Sequence, residues 1–159
     1  IFSKRLWEMN NPDEIPAVPK YIPEWENPFG EMAGTYPLQV IGPHYMPRVH
    51  STHNNNDWLN EAFPQRAFIN PVDAKSRNIS DGDTVKIFNR RGAIILKCRF
   101  TKRLMPGVIS VPQGAWWKPD KDGNDVGGNI NTLTSERWTP LALGNAQHTI
   151  MAQVEKYDK

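Results

Sequence analysis

The sequence predicts a compact, mostly β domain. Six or so short apolar runs are separated by clusters of glycine, proline, asparagine and aspartate, a pattern typical of short strands joined by turns. Fourteen prolines in 159 residues disfavour long helices, and a single segment carries clear helix-start signals. Closure of the strands into a small barrel would hide the sheet edges that they otherwise expose. The pattern itself leaves the topology open.

The predicted strands span residues 36–41, 67–69, 84–88, 93–100, 108–111 and 149–155. In the fourth of these runs, Lys97 and Arg99 alternate with the apolar residues Leu96, Cys98 and Phe100. Period-two alternation places Cys98 on the buried face of a strand, so a buried core thiol is favoured over a reactive one. A single cysteine excludes an internal disulfide and leaves the redox compartment open.

The one clear helix begins after Asn70. That asparagine can cap a helix whose first position is Pro71, with Asp73 near the positive end of the helix dipole. The helix is expected to end near Asn78. Residues 57–63 are expected to form a short helical turn, closed by Pro64.

Residues 1–35 are predicted to be an extended connector from a preceding, absent domain, and residues 36–159 to form the barrel domain. Repeated prolines interrupt the connector, and its aromatic residues suit a segment that lies against another surface. Because the chain lacks an initial Met and a signal-peptide pattern, a fragment of a longer protein is expected. No apolar run approaches the roughly 20 residues needed to span a bilayer.

The formal net charge is only +2, which argues against a dedicated nucleic-acid-binding protein. The most informative stretch is the loop after the first strand, residues 41–56. It contains three histidines, an arginine, a serine, a threonine and three asparagines, and no carboxylate. This set of donors suits a large, polar, anionic ligand.

Other interpretations of this loop are weaker. His44, His50 and His53 lack the patterned spacing and the additional ligands of a zinc site, and solvated loop histidines are commoner. Ser51 lies beside His50, but sequence neighbours seldom form a nucleophile–base pair, and a Gly-x-Ser-x-Gly element is absent. Donation to a phosphate or a heteroaromatic ring fits the whole set better.

A second donor-rich loop spans residues 127–134, after a glycine-rich segment. Ahead of it, Trp116 and Trp117 follow a strand and are either a stacking wall for a ligand or a packed edge. Arg90 and Arg91 lie at the tip of a predicted hairpin with Gly92 available for positive φ, and a solvated turn is the expected state of both arginines.

The order of several motifs resembles the C-terminal cofactor-binding domain of the dimethyl sulfoxide reductase family of molybdenum enzymes. The likeness covers residues 36–156. In order, the motifs are Gly42 to His53, Asn70-Pro71-Val72-Asp73-Ala74, Ile79-Ser80-Asp81-Gly82-Asp83-Thr84-Val85, Arg91-Gly92, Pro106-Gly107-Val108, Gly114-Ala115-Trp116 and Asn131-Thr132-Leu133-Thr134. One departure is that many relatives open the first loop with Thr-Gly-Arg, where this chain has Ile41-Gly42-Pro43. Arg48 is expected to take over the phosphate role.

The resemblance implies a six-stranded double-psi β-barrel with one or two short helices, which holds part of a molybdenum bis(molybdopterin guanine dinucleotide) cofactor. It implies no catalytic or metal-ligating side chain in this chain. The metal ligand and any iron–sulfur cluster would belong to the absent part of the parent chain. The cofactor-binding residues it implies are Ile41, Gly42, Pro43, His44, Arg48, His50, Ser51, Thr52, Gln113, Gly114, Trp116, Asn131, Thr134 and Gln147.

The resemblance further implies a parent oxidoreductase that reduces dimethyl sulfoxide and related S- and N-oxides in anaerobic respiration. Its expected partners are the earlier domains of the same chain, an iron–sulfur electron-transfer subunit and a membrane anchor subunit. Its expected location is the periplasmic side of the bacterial inner membrane. The chain alone is expected to be inactive. The alternative is an unrelated small β-barrel that binds a nucleotide or another ligand.

Overall fold

The computed structural model describes residues 13–16, 18–140 and 142–158. Six strands form the body of the chain: β1 (Leu38–Ile41), β2 (Ala67–Ile69), β3 (Thr84–Asn89), β4 (Gly92–Phe100), β5 (Val108–Ser110) and β6 (Ile150–Lys156). Two short helices, α1 (Asp57–Ala62) and α2 (Pro71–Lys75), lie between β1 and β3. Single 3-10 turns occur at Glu31–Gly34 and Ile130–Leu133. None of the helices in these ranges is long and apolar enough to cross a membrane.

The six strands close into a barrel in the order β1-β5-β2-β4-β3-β6. β1 pairs with β5 in parallel, and so does β2 with β4, whereas the other neighbours are antiparallel. The prediction of a six-stranded double-psi β-barrel with one or two short helices is confirmed. Closure pairs every strand on both sides and removes the exposed edges of an open sheet.

Alternating apolar residues fill the barrel as predicted. Successive residues of β3 alternate between half-buried and buried, and Val85 and Ile87 are completely buried. In β4 the alternation fails at Ile95, which is buried as well as its neighbours on both sides. At this position the segment that carries Asp125 pairs with β4, since the Ile95 amide donates to the Asp125 carbonyl at 2.8 Å.

The start of α2 follows the prediction closely. The Asn70 side chain accepts a hydrogen bond from the Val72 amide at 2.9 Å, and Pro71 occupies the first turn. The helix ends at Lys75, earlier than expected, and Asn78 takes φ +55°. The Ile79 amide then donates to the Ala74 carbonyl at 3.0 Å. This is the left-handed stop that asparagine tolerates, and it buries Ile79.

Arg91 is not solvated, so that prediction is wrong for this residue. Its Nη1 and Nη2 atoms donate to the Glu26 carboxylate at 2.6 and 3.0 Å, and its Nε donates to the Leu133 carbonyl at 2.9 Å. The same carboxylate accepts from the Met151 amide at 3.0 Å. Arg91 therefore joins the connector, the barrel and the Ile130–Leu133 turn, because the connector supplies a carboxylate at the hairpin.

Gly92 also serves a different purpose from the predicted one. It pairs with Asn89 and is not among the glycines with positive φ. A Cβ atom on Gly92 would lie 2.8 Å from Cγ2 of Thr132. Glycine is needed here because the second loop crosses the hairpin at close range.

The described part of the connector lies against the barrel loops. Ile15 is buried, the Trp25 indole N–H donates to the Glu14 carboxylate at 2.9 Å, and the Arg137 guanidinium lies 3.9 Å from the centroid of the Trp25 ring. Residues 1–12 and 17 of the predicted connector lie outside the described residues. The domain boundary at residue 35 stays a prediction.

Asp125 carries a fully buried carboxylate that organises the chain from residue 118 to residue 132. Oδ1 accepts from the amides of Lys118 and Gly127, both at 2.8 Å. Oδ2 accepts from the Asn129 amide at 2.6 Å and from the Thr132 hydroxyl at 3.3 Å. Because its backbone also pairs with β4, Asp125 fixes the start of the second loop to the barrel wall.

We expect Asp125→Ala to lower the free energy of unfolding by about 3 kcal/mol or more, because buried donors left unpaired cost about 1–3 kcal/mol each. Urea unfolding followed by circular dichroism measures the change. Glu61→Ala, which removes an exposed carboxylate from α1, is the control and should alter stability by less than about 0.5 kcal/mol. Equal stabilities of the two variants would contradict this account of the loop.

Cys98 is buried as predicted, with no side-chain exposure, and burial raises the pKa of its thiol. At pH 8 the folded chain should therefore not react with a disulfide reagent, since neither solvent access nor a thiolate is available. After unfolding in urea, the single thiol should react and release one equivalent of the coloured thiolate from an aromatic disulfide reagent. Rapid labelling of the folded chain would show that β4 opens readily.

Candidate functional site

The two donor-rich loops meet at one face of the barrel. Here the first loop means residues 42–53 and the second loop residues 127–134. Gly42 packs so closely on the second loop that a Cβ atom would lie 2.7 Å from Cδ1 of Ile130. The Gly42 amide also donates to Nδ1 of His148 at 3.3 Å. The expectation that residues 42–53 and 129–134 converge is confirmed.

A pocket of about 460 Å³ lies where the loops meet, and we call it the amide pocket. Among the residues that the structure describes, its walls carry four side-chain amides, two indoles, an imidazole and a hydroxyl, but no carboxylate and no Lys or Arg. The lining residues are His50, Ser51, Gln113, Gly114, Ala115, Trp116, Trp117, Asn129, Ile130, Asn131 and Gln147. Such a lining suits a neutral heteroaromatic ring better than it suits a phosphate.

The segment that follows β5 is tied to the first loop. Gly114 has φ +91°, and a Cβ atom there would collide with the carbonyl oxygen of His50. The Trp116 indole N–H donates to the Ser51 carbonyl at 2.9 Å, and the backbone N–H of Gln113 donates to the Pro43 carbonyl at 3.0 Å. These contacts fix the backbone of one pocket wall against the backbone of the first loop.

Gln113 and Gln147 form a preset pair inside the pocket. The Gln147 Nε2 group donates to the Gln113 Oε1 atom at 2.6 Å. Within the described residues, this pairing leaves the Gln113 amide nitrogen and the Gln147 amide oxygen without a further partner. An adjacent donor and acceptor are what the edge of a pterin or guanine ring requires, so the residues present fit such a ring.

Half of the predicted site residues line this pocket: His50, Ser51, Gln113, Gly114, Trp116, Asn131 and Gln147. The other half, which comprises Ile41, Gly42, Pro43, His44, Arg48, Thr52 and Thr134, lie outside its lining. Several of these support the wall. The His44 ring packs edge-on against the His50 ring with centroids 5.2 Å apart, and the Ile41 carbonyl accepts from the Val111 amide at 3.0 Å. Thr134 lines a neighbouring cavity.

Arg48 is a buried residue of the first loop. Its Nη1 donates to the Asn54 side chain at 2.6 Å and its Nη2 to the Gln65 side chain at 2.5 Å. Its guanidinium lies over the Tyr45 ring at 5.0 Å, and burial lowers the pKa of Arg48. The phosphate role of Arg48 stays a prediction, and it would require these neutral amides to be exchanged for an anion.

Four further residues line the pocket that the predicted site did not include: Ala115, Trp117, Asn129 and Ile130. Of these, the sequence leaves Trp117 open between a stacking wall for a ligand and a packed edge. Asn129 follows the Gly127–Gly128 pair, and its side chain accepts from the Asn131 amide at 3.0 Å, which starts the Ile130–Leu133 turn. The signal that could have found it was an asparagine directly after two glycines. Within the described ranges, no group of three or more His, Cys, Asp or Glu side chains is placed to hold a metal ion.

Comparison with known proteins agrees with this geometry. The family model described as "Molydopterin dinucleotide binding domain" matches residues 38–151. The chain is 47% identical to dimethyl sulfoxide reductase DmsA of Escherichia coli K12 over 94% of its own length and 18% of that protein. It is 36% identical to a dimethyl sulfoxide/trimethylamine N-oxide reductase of Cereibacter sphaeroides over 99% of its length and 20% of that protein.

Among solved structures, acetylene hydratase from Pelobacter acetylenicus has a similar fold. The TM-score is 0.73 at 21% sequence identity, over 88% of this chain and 21% of that one. The chain thus spans about a fifth of the length of the relatives it matches. The family match decides against an unrelated class of small barrels. With the fold, the converging loops and the matched residues in agreement, the chain belongs to the molybdopterin dinucleotide-binding domain family.

Proposed function

We propose that the amide pocket holds part of a molybdenum bis(molybdopterin guanine dinucleotide) cofactor, and that the chain is the cofactor-binding part of a larger molybdenum oxidoreductase. The observation that carries the proposal is the neutral, amide-lined pocket at the junction of the two loops. A ring edge would meet the free donor of Gln113 and the free acceptor of Gln147. The half-exposed indoles of Trp116 and Trp117 offer faces for stacking.

The cofactor, when bound, supplies the oxygen-atom transfer chemistry. The chain's own residues bind and orient it. Gln113, Gln147 and Asn131 would fix the rotation of the ring through directed hydrogen bonds, each contributing about 0.5–1.5 kcal/mol. The contacts of Gly114 and Trp116 with the first loop fix the backbone next to Gln113 before the ligand arrives, which reduces the ordering cost of binding. We assign no catalytic side chain to this chain.

For the parent protein we propose reduction of dimethyl sulfoxide and related S- and N-oxides in anaerobic respiration. The likeness to dimethyl sulfoxide and trimethylamine N-oxide reductases supports this proposal. On the family resemblance we further propose an iron–sulfur cluster in the rest of the parent chain, an iron–sulfur electron-transfer subunit and a membrane anchor as partners, and a location on the periplasmic side of the bacterial inner membrane.

Anaerobic titration of the chain with molybdopterin guanine dinucleotide, followed by NMR, tests the binding proposal. We expect the amide signals of Gln113, Gly114 and Asn131 to shift, with affinity at least tenfold higher than for GMP. Gly114→Ala should abolish these shifts because its Cβ displaces the His50 backbone. Gly107→Ala is the matched control, since Gly107 also has positive φ (+87°) but nothing lies within 4 Å of the added Cβ.

Two results would contradict the proposal. Equal affinity for GMP and the dinucleotide would indicate a general nucleotide site. Unaltered binding by a folded Gly114→Ala variant would place the ligand away from the amide pocket.

The purified chain should not reduce dimethyl sulfoxide with a dithionite-reduced viologen dye as electron donor, even after incubation with the cofactor. Its described residues provide pocket walls but no cluster of metal ligands. Oxidation of the dye measured by absorbance gives the answer, with a complete dimethyl sulfoxide reductase as positive control. Turnover above the rate of the protein-free cofactor would disprove the assignment of a binding role alone.

A further inference from the structure

The amide pocket continues into a groove that crosses the second loop. A cavity of about 450 Å³ adjoins it and shares Trp117, Asn129 and Asn131 with it. A third cavity of about 610 Å³ shares Asn131 with both. We call this third space the arginine cavity; it is lined by Arg90, Arg91, Asn131, Thr132, Thr134, Ser135, Glu136 and Arg137. The groove thus joins a neutral end to an end with three guanidinium groups.

The three arginines of this cavity are not equivalent. Arg91 is neutralised by the Glu26 carboxylate, and Arg137 forms an ion pair with Glu14. Among the described residues, Arg90 has no acidic partner within ion-pair distance. Its side chain is exposed at the hairpin tip, beside the inward-turned Arg91. Arg90 is therefore the cation of the cavity that remains available to a ligand.

The hydroxyl groups that line the arginine cavity also differ in whether they already have a hydrogen-bond partner. The Thr132 hydroxyl donates to Asp125 and the Thr134 hydroxyl donates to the Asn131 carbonyl at 3.0 Å. No hydrogen bond of the Ser135 hydroxyl occurs within the described residues, and Ser135 lines the same cavity as Arg90. A guanidinium beside an uncommitted hydroxyl is a donor set that phosphate oxygens accept well.

We propose that the arginine cavity binds a phosphate group of the ligand whose ring occupies the amide pocket, with Arg90 as the cation and Ser135 as a hydroxyl donor. The proposal rests on the proposed function, because it assigns the two ends of the groove to two parts of one dinucleotide. The ring edge is recognised where the walls are uncharged, and the phosphate where an unpaired arginine lines the groove. Glu136 opposes the phosphate, because its carboxylate faces the same cavity.

Because Arg90 and Glu136 carry opposite charges, neutralising each of them should change the affinity for an anion in opposite directions. With inorganic pyrophosphate as the probe, wild-type NMR titration should shift the amides of Arg90 and Ser135. Arg90→Gln should weaken pyrophosphate binding about fivefold or more, and Glu136→Gln should strengthen it, as expected for partly exposed charges. Arg103→Gln is the matched control, since Arg103 is an exposed arginine outside the groove. Circular dichroism should show a folded barrel for every variant.

Equal pyrophosphate affinities of the Arg90→Gln and Arg103→Gln variants would overturn the assignment. A second titration with molybdopterin guanine dinucleotide separates this failure from that of the proposed function. If the dinucleotide shifts Gln113 and Gly114 equally well in wild type and Arg90→Gln, the amide pocket stands and the arginine cavity does not. If pyrophosphate binds at Arg90 but the dinucleotide leaves Gln113 unshifted, the proposed function fails and the assignment of the phosphate to that ligand fails with it.

Discussion

The buried carboxylate of Asp125 is the constraint on which the site depends. A desolvated carboxylate is costly unless donors satisfy it, and within the described part of the chain its donors are three backbone amides and one hydroxyl, all of them uncharged groups. Its four donors come from Lys118, Gly127, Asn129 and Thr132, so one pair of oxygens determines the course of a long irregular segment. Because the Asp125 backbone pairs with β4, that segment has a fixed position relative to the barrel. The pocket residues that follow Asp125, from Asn129 to Asn131, are positioned by this pairing.

The barrel topology brings the other wall to the same place. β1 and β5 are parallel neighbours, with Ile41 opposite Ser110, so the chain leaves both strands at one end of the barrel. The first loop continues from β1, and Gln113 and Gly114 continue from β5. Their backbones then lie so close that only glycine fits opposite the His50 carbonyl. The first loop and the segment after β5, which are distant in sequence, thus form one wall. The backbone pairing of the two parallel strands sets the distance between the points at which these segments begin.

Sequence patterns predicted what depends on near neighbours and missed what depends on distant ones. Period-two alternation located the strands, and the Asn70-Pro71 pair located the start of α2, because these signals act within a few residues. Arg91 was predicted to be solvated because its partner, Glu26, lies far away in the chain, where no local pattern points to it. Barrel topology and seven of the eleven pocket residues came from the family resemblance, which encodes these distant contacts.

The distribution of charge explains how one groove can hold two unlike groups. Two charged side chains near the amide pocket already have partners: the Asp125 carboxylate accepts from N–H and O–H donors, and Arg91 is paired with Glu26. The pocket is consequently left with directional, uncharged groups, which discriminate between ring edges by their pattern of donors and acceptors. A ligand bound there contacts both loops at once. Because it binds the folded arrangement and not the unfolded chain, its binding free energy adds to the stability of the loops that form its site.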